Sequence, residues 1–159
     1  MQDEQSKSLR EHLLELLRGG SAHLTPKEAV ESIPAKLRGI RANGFEHTAW
    51  ELLEHMRIAQ RDIYEFSINP KHKSPEWPEG YWPRSEAPAS AAAWTKSVRQ
   101  FLGDLRAMED LVAKPSTDLF APIPHGSGQT ILREAFLVAD HNAYHLGQIV
   151  AVRKALERK

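Results

Sequence analysis

Gly128-Gln129-Thr130-Ile131-Leu132-Arg133-Glu134-Ala135-Phe136-Leu137-Val138-Ala139-Asp140-His141-Asn142-Ala143-Tyr144-His145-Leu146-Gly147-Gln148-Ile149-Val150 is the stretch that decides how this chain folds. One apolar row runs through Leu132, Ala135, Phe136, Ala139, Ala143, Leu146 and Val150, and a second through Val138, His141, His145, Ile149 and Val152. Spacing of this kind predicts one long amphipathic helix. His141 and His145 are four apart, so they project from nearly the same face, beside the apolar stripe. Two imidazoles one turn apart at the edge of a core can chelate a divalent cation. Taken singly, either residue reads by default as a structural histidine, so further ligands have to be sought upstream.

The upstream histidine lies in a helix expected from about Thr48 to Ser67. Ala49, Leu52, Leu53, Met56, Ala59, Ile63 and Phe66 form its inward stripe, with Arg57, Arg61 and Glu65 outward. His55 falls between Leu52 and Ala59 on one flank of that stripe, placed to look into the core or a cavity within it. Glu51, one turn earlier, is an alternative ligand or an orienting partner. His47 reads as a capping or surface residue.

Two more helices complete the pattern. One begins near Ser6 or Ser8, buries Leu9, Leu13, Leu16 and Leu17, and stops at Gly19-Gly20. The other runs from about Ser90 to Ala113, with Trp94, Val98, Phe101, Leu102, Leu105, Met108 and Val112 inward, and Pro115 closes it. Between the first two, Thr25-Pro26-Lys27-Glu28 is a capping box that opens a short helix ending by Ile33, because the residue before Pro34 is pushed out of the α region. Lys36, Arg38 and Arg41 follow in a basic connector that reads as solvated surface, with an anion site as the alternative.

Two connectors differ in character from the helices. From Asn69 to Pro88, prolines and the aromatics Trp77, Tyr81 and Trp82 exclude a helix. So long a loop is often functional, and its rings either cover a pocket mouth or cap the open end of the core. Ser116 to Gly128 is expected to lie across the bundle through Phe120 and Ile123, with His125 in a turn. Long helices alternating with connectors, without repeats or β-alternation, predict an all-α bundle and a single domain over residues 1–159.

The bulk numbers narrow the function. Lysine plus arginine and aspartate plus glutamate are 21 each, so no global field attracts nucleic acid or an anionic membrane, and neither is an expected partner. There is no cysteine, which excludes disulfides, a thiolate nucleophile and thiolate ligands. Any metal site must use His, Asp, Glu, backbone oxygen or water. No signal peptide and no run of roughly 20 apolar residues is evident, so a soluble cytoplasmic protein is expected.

With His55 inside Trp50-Glu51-Leu52-Leu53-Glu54-His55-Met56-Arg57-Ile58-Ala59-Gln60, and with His141-Asn142-Ala143-Tyr144-His145-Leu146-Gly147-Gln148-Ile149 downstream, the chain resembles the DinB-like (DinB/YfiT) superfamily over most of its length. The resemblance implies an up-down-down-up four-helix bundle with a divalent metal at one end, held by His55, His141 and His145. It also implies a homodimer. The family's activities include thiol-cofactor-dependent transferases and isomerases, while function lives in the pocket grafted on the fold. Three neutral imidazoles leave coordination positions open on Zn, Ni or Fe, as a catalytic site needs. A bound water would have its pKa lowered towards about 7. An external low-molecular-weight thiol would be held as thiolate.

The expected function is therefore a metal-dependent enzyme of thiol-transferase or hydrolase type, acting on a small-molecule substrate. Glu51 and Asp140 are its candidate catalytic acids, although Asp140 is offset by about 100° from His141 and a surface role is as well supported. Gln148 and Tyr144, each a turn from a histidine, are placed to orient a ring or a ligand, with an ordinary core-edge role as the equal alternative. A non-enzymatic metal or small-ligand binding protein of a stress or detoxification response is the alternative. A bundle with hydrogen-bonded core histidines and a protein partner is the third reading.

Overall fold

A computed structural model describes residues 2–158, and five α-helices and two short 3-10 turns lie among them. Helix α1 (Gln2–Arg18) ends where Gly19 takes a φ of 64°, its N–H bonding the Glu15 carbonyl at 3.0 Å. It starts before the serines expected to open it. The Ser8 hydroxyl instead lies 3.4 Å from His12 Nδ1, one turn further on. Helix α2 (Pro26–Glu31) has the capping box read from its sequence, with Thr25 and Glu28 bonding each other's backbone N–H. Helix α3 (Ala49–Ile68) opens on a second capping box, Thr48 with Glu51. Helix α4 (Ala91–Ala113) is capped by Ser90 and helix α5 (Ile131–Glu157) by Thr130.

Contacts along the four long helices give their directions. On α3 and α4, Trp50 meets Trp94, Gln60 donates to the Phe101 carbonyl at 2.7 Å, and Arg61 pairs with Asp104 at 2.9 Å, so these helices run parallel. Arg10 reaches the Val112 carbonyl and Arg18 reaches Glu109 at 3.0 Å, so α1 opposes α4. Going along α3, His55 faces His145, Gln60 faces Asn142 and Phe66 packs beside Ile131, so α5 opposes α3. The order is up, down, down, up.

That order explains the long proline-rich segment. Antiparallel neighbours need only a short turn, whereas two consecutive parallel helices oblige the chain to travel back along the first. Helix α3 has 20 residues, about 30 Å of length. Residues 69–90 make the return as a strap. His72 and Tyr81 are held by Asp62, the Tyr81 carbonyl by His55, and the Glu86 carbonyl by Thr48 at 2.7 Å. The strap is thus fastened to α3 at three levels. Gly39 lets it pass, since a Cβ there would fall 2.3 Å from that of Ala87.

The core has two main layers. Leu52, Leu53, Met56, Trp94, Phe101, Leu146 and Ile149 pack with α2 at one end. Leu13, Leu17, Leu105, Met108, Val112 and Val138 pack at the other. Each such fully buried side chain contributes about 1.5–3 kcal/mol. Between the layers lies a polar seam: Asn142 Nδ2 donates to Gln60 Oε1 at 2.7 Å.

Four positions differ from the sequence reading, each for a packing reason. Leu16 is 52% exposed, because Leu13 and Leu17 already turn that helix's apolar edge to α4 and α5. Phe136 and Ala143 are exposed, since the buried arc of α5 centres on the second row, Val138, His145, Ile149 and Val152. In the connector, Leu119 rather than Phe120 is buried, with Ile123 and Ile131. No helix among the described residues is long and apolar enough to cross a membrane.

Candidate metal centre

His55 stands in the second turn of α3, and His141 and His145 stand on the facing side of the antiparallel α5. One ring nitrogen from each lies within 4.8 Å of the others, and among the described residues this is the one such group of three or more. His55 and His141 face each other through their Nε2 atoms at 3.0 Å. Ring centroids are 4.5 to 4.8 Å apart across the three pairs.

Hydrogen bonds select the tautomers. The Tyr81 carbonyl, 2.9 Å from His55 Nδ1, can only accept, so the ring proton sits on Nδ1 and the Nε2 lone pair is turned to His141. Gln148 Oε1, 2.6 Å from His145 Nδ1, does the same for the second ring. The two Nε2 lone pairs therefore remain for a ligand, each ring oriented from behind, as at protein metal sites. Two nitrogens on one tetrahedral ion would be about 3.3 Å apart, close to the observed His55–His141 separation. The three rings could hold a divalent cation.

Their protonation agrees. Burial pushes the His141 pKa down to about 3, with the neighbouring His145 and His55 adding to it. Burial also lowers His55 against the pull of the Tyr81 carbonyl, and lowers His145 against that of Gln148. All three stay neutral at neutral pH, which is the form that binds metals.

Aromatic rings close one side. Trp82 lies flat on His55, centroids 4.0 Å apart and planes within 3°, and His47 stacks on Trp82 at 4.1 Å. Trp82 is thus sandwiched between two imidazoles. Trp82 and His47 also form part of an open cleft of about 260 Å³, lined besides by Tyr144, Gln148 and, of the triad, His145. Trp77, by contrast, is 73% exposed and packs edge-on to Tyr81. Burial, with Asp62 as hydrogen-bond partner, raises the Tyr81 hydroxyl pKa to about 12.

The two candidate acids stand apart from the triad. Glu51 Oε2 accepts the Thr48 N–H at 2.8 Å and approaches Arg41 at 3.5 Å, so its carboxylate serves the start of α3. Asp140 is exposed. His125 bonds the Phe66 carbonyl at 2.7 Å, a turn anchor far along α3 from His55. Arg38 lies over the Trp94 ring at 4.6 Å, and Arg41 pairs with Glu86 at 2.7 Å. Sequence reasoning did not reach Asp62, the Tyr81 carbonyl, or His47 as a stacking partner. A carbonyl has no sequence signature, whereas Asp62, seven residues after His55 and so on the same face, had one.

Residues 11–149 match the family model of the DinB superfamily. No curated protein and no solved structure matches the chain. The matched span takes in His55, His141 and His145 and most of the bundle that brings them together, and the chain belongs to the DinB superfamily.

Proposed function

We propose that this protein is a metal-dependent enzyme acting on a small-molecule substrate by thiol transfer or hydrolysis, with His55, His141 and His145 as the metal ligands. The observation that carries the reading is the convergence of three neutral imidazoles beside an open cleft. A site built for storage or structure is closed, whereas a catalytic one keeps a side open. A divalent cation held there supplies Lewis acidity and lowers the pKa of a coordinated water or thiol.

The chain's own residues do the rest. Gln148 and the Tyr81 carbonyl hold their rings with Nε2 forward. Trp82 and His47 exclude water from one flank. His47 also lines the cleft, beside His145. With no cysteine in the chain, a thiol nucleophile comes from a second, external molecule.

Metal analysis of purified protein tests the first half: wild type carries a first-row divalent ion, and His141→Ala and His145→Ala lose it. Equal content in all three excludes these ligands. A panel of electrophilic substrates, with and without low-molecular-weight thiols, tests the second. Metal-loaded protein that turns over none of them is a binding protein instead.

A further inference from the structure

We infer that Asp62 is a positioning residue for the metal centre, acting on His55 through Tyr81. The inference rests on the reading of the histidine triad as metal ligands. Its physical basis is the strap. The strap's only regular structure near the triad is the 3-10 turn Glu79–Tyr81, so the direction of the Tyr81 carbonyl depends on how the strap is tied down. The tie is Asp62. One carboxylate oxygen accepts the Tyr81 hydroxyl at 2.6 Å and the other lies 2.6 Å from His72 Nε2. Both are short, charge-assisted bonds, the stronger kind. The carboxylate thereby clamps the strap at two points nine residues apart in sequence.

The consequence reaches His55 by one covalent residue. Tyr81 is held by its hydroxyl at Asp62 and presents its carbonyl to His55 Nδ1 at 2.9 Å. Asp62 lies two helical turns after His55 on the same face of α3, so one helix supplies both the ligand and the post that orients it. Without the post the carbonyl moves, His55 can turn either ring nitrogen inward, and the pre-set Nε2 is lost. Groups behind a ligand commonly change metal affinity about 10- to 100-fold when removed. Asparagine at 62 should keep both bonds in their weaker, neutral form and so hold the strap better than alanine does. Its amide oxygen can accept from Tyr81 and its NH2 can donate to the other tautomer of His72.

Cobalt(II) titration of the full chain tests this, read by visible absorption and by competition with a chelator. Asp62→Ala and Tyr81→Phe should each weaken cobalt binding about tenfold or more and alter the visible bands, and Asp62→Asn should recover most of both. Wild-type protein that takes up no cobalt overturns the metal-centre reading and this inference with it. Wild-type uptake, matched in affinity and spectrum by Asp62→Ala and Tyr81→Phe, overturns this inference alone, even if those variants melt earlier. Loss in Asp62→Asn equal to that in Asp62→Ala also overturns it.

Discussion

Trp82 and His55 are stacked with centroids 4.0 Å apart and planes 3° from parallel, which puts the indole against the ring whose Nε2 faces His141. A cation at the triad would therefore lie within a few ångströms of one tryptophan out of four.

Metal binding should accordingly be visible in tryptophan fluorescence. Titration with Ni(II) or Cu(II) is expected to quench part of the emission of wild-type protein, and Trp82→Phe should remove most of that response while keeping a ring on His55. An undiminished response in Trp82→Phe would place the cation elsewhere. Trp82→Ala should in addition cost about 1–3 kcal/mol of stability, since it empties the space between His55 and His47.

The same burial makes the metal-free protein sensitive to acid. In the unfolded chain each histidine titrates near the ordinary value of about 6.5. In the fold His141 is held down to about 3, and His55 and His145 are also lowered. Between these limits the unfolded state binds more protons, so stability is full above about 6.5 and is lost as pH falls towards about 3. Carboxylates with lowered pKa values, such as Glu54 beside Arg57, act only further down. Urea unfolding of chelator-treated protein should thus show a falling midpoint between pH 7 and 5, and His141→Gln should flatten that fall. Parallel curves for the two proteins would mean His141 is not the buried neutral group described.

How much of this could be read from sequence follows from what kind of group carries each feature. The i, i+4 pair on α5 and His55 on α3 were legible because ligands are side chains and helical period fixes their face. Their meeting was legible only through the resemblance, since no pattern in one helix says where another packs. The centring of α5 on Val138, His145 and Val152 was not legible, because two apolar rows of similar strength compete and packing against α3 and the other helices decides between them. The role of the strap was half legible. Its length and aromatics marked it, but its contribution to His55 is one backbone oxygen and one ring face, and neither is a motif. Glu51 reads as a candidate acid because it lies one turn before His55, and that same position is the third of the helix, where a capping box also needs a glutamate.

The polar seam between the core layers gives a third test. Gln60 is 1% exposed, donates to the Phe101 carbonyl and accepts from Asn142, both at 2.7 Å. Gln60→Leu strands the buried Asn142 amide, at about 1–3 kcal/mol, while the Phe101 carbonyl keeps its bond within α4. Adding Asn142→Leu removes the stranded group. The double variant should therefore be less destabilised than the sum of the singles, with a coupling of about 1 kcal/mol or more in a chemical-denaturation cycle. Simple additivity would show that the two amides do not depend on each other.

The start of α3 offers the last test, one that separates a structural carboxylate from a catalytic one. Thr48 is fully buried; its hydroxyl accepts the Glu51 N–H at 3.2 Å and donates to the Glu86 carbonyl at 2.7 Å. It caps the helix and fastens the strap with one atom, so Thr48→Ala should cost more than an ordinary cap, about 2 kcal/mol, and Thr48→Ser far less. Glu51 completes the box by accepting the Thr48 N–H at 2.8 Å, a bond that a glutamine oxygen can also accept. Glu51→Gln should then keep both the melting temperature within a few degrees and the full metal content. It should also leave turnover intact once a substrate is found. A glutamine variant that folds and binds metal normally but loses activity would return Glu51 to the catalytic role that its spacing first suggested.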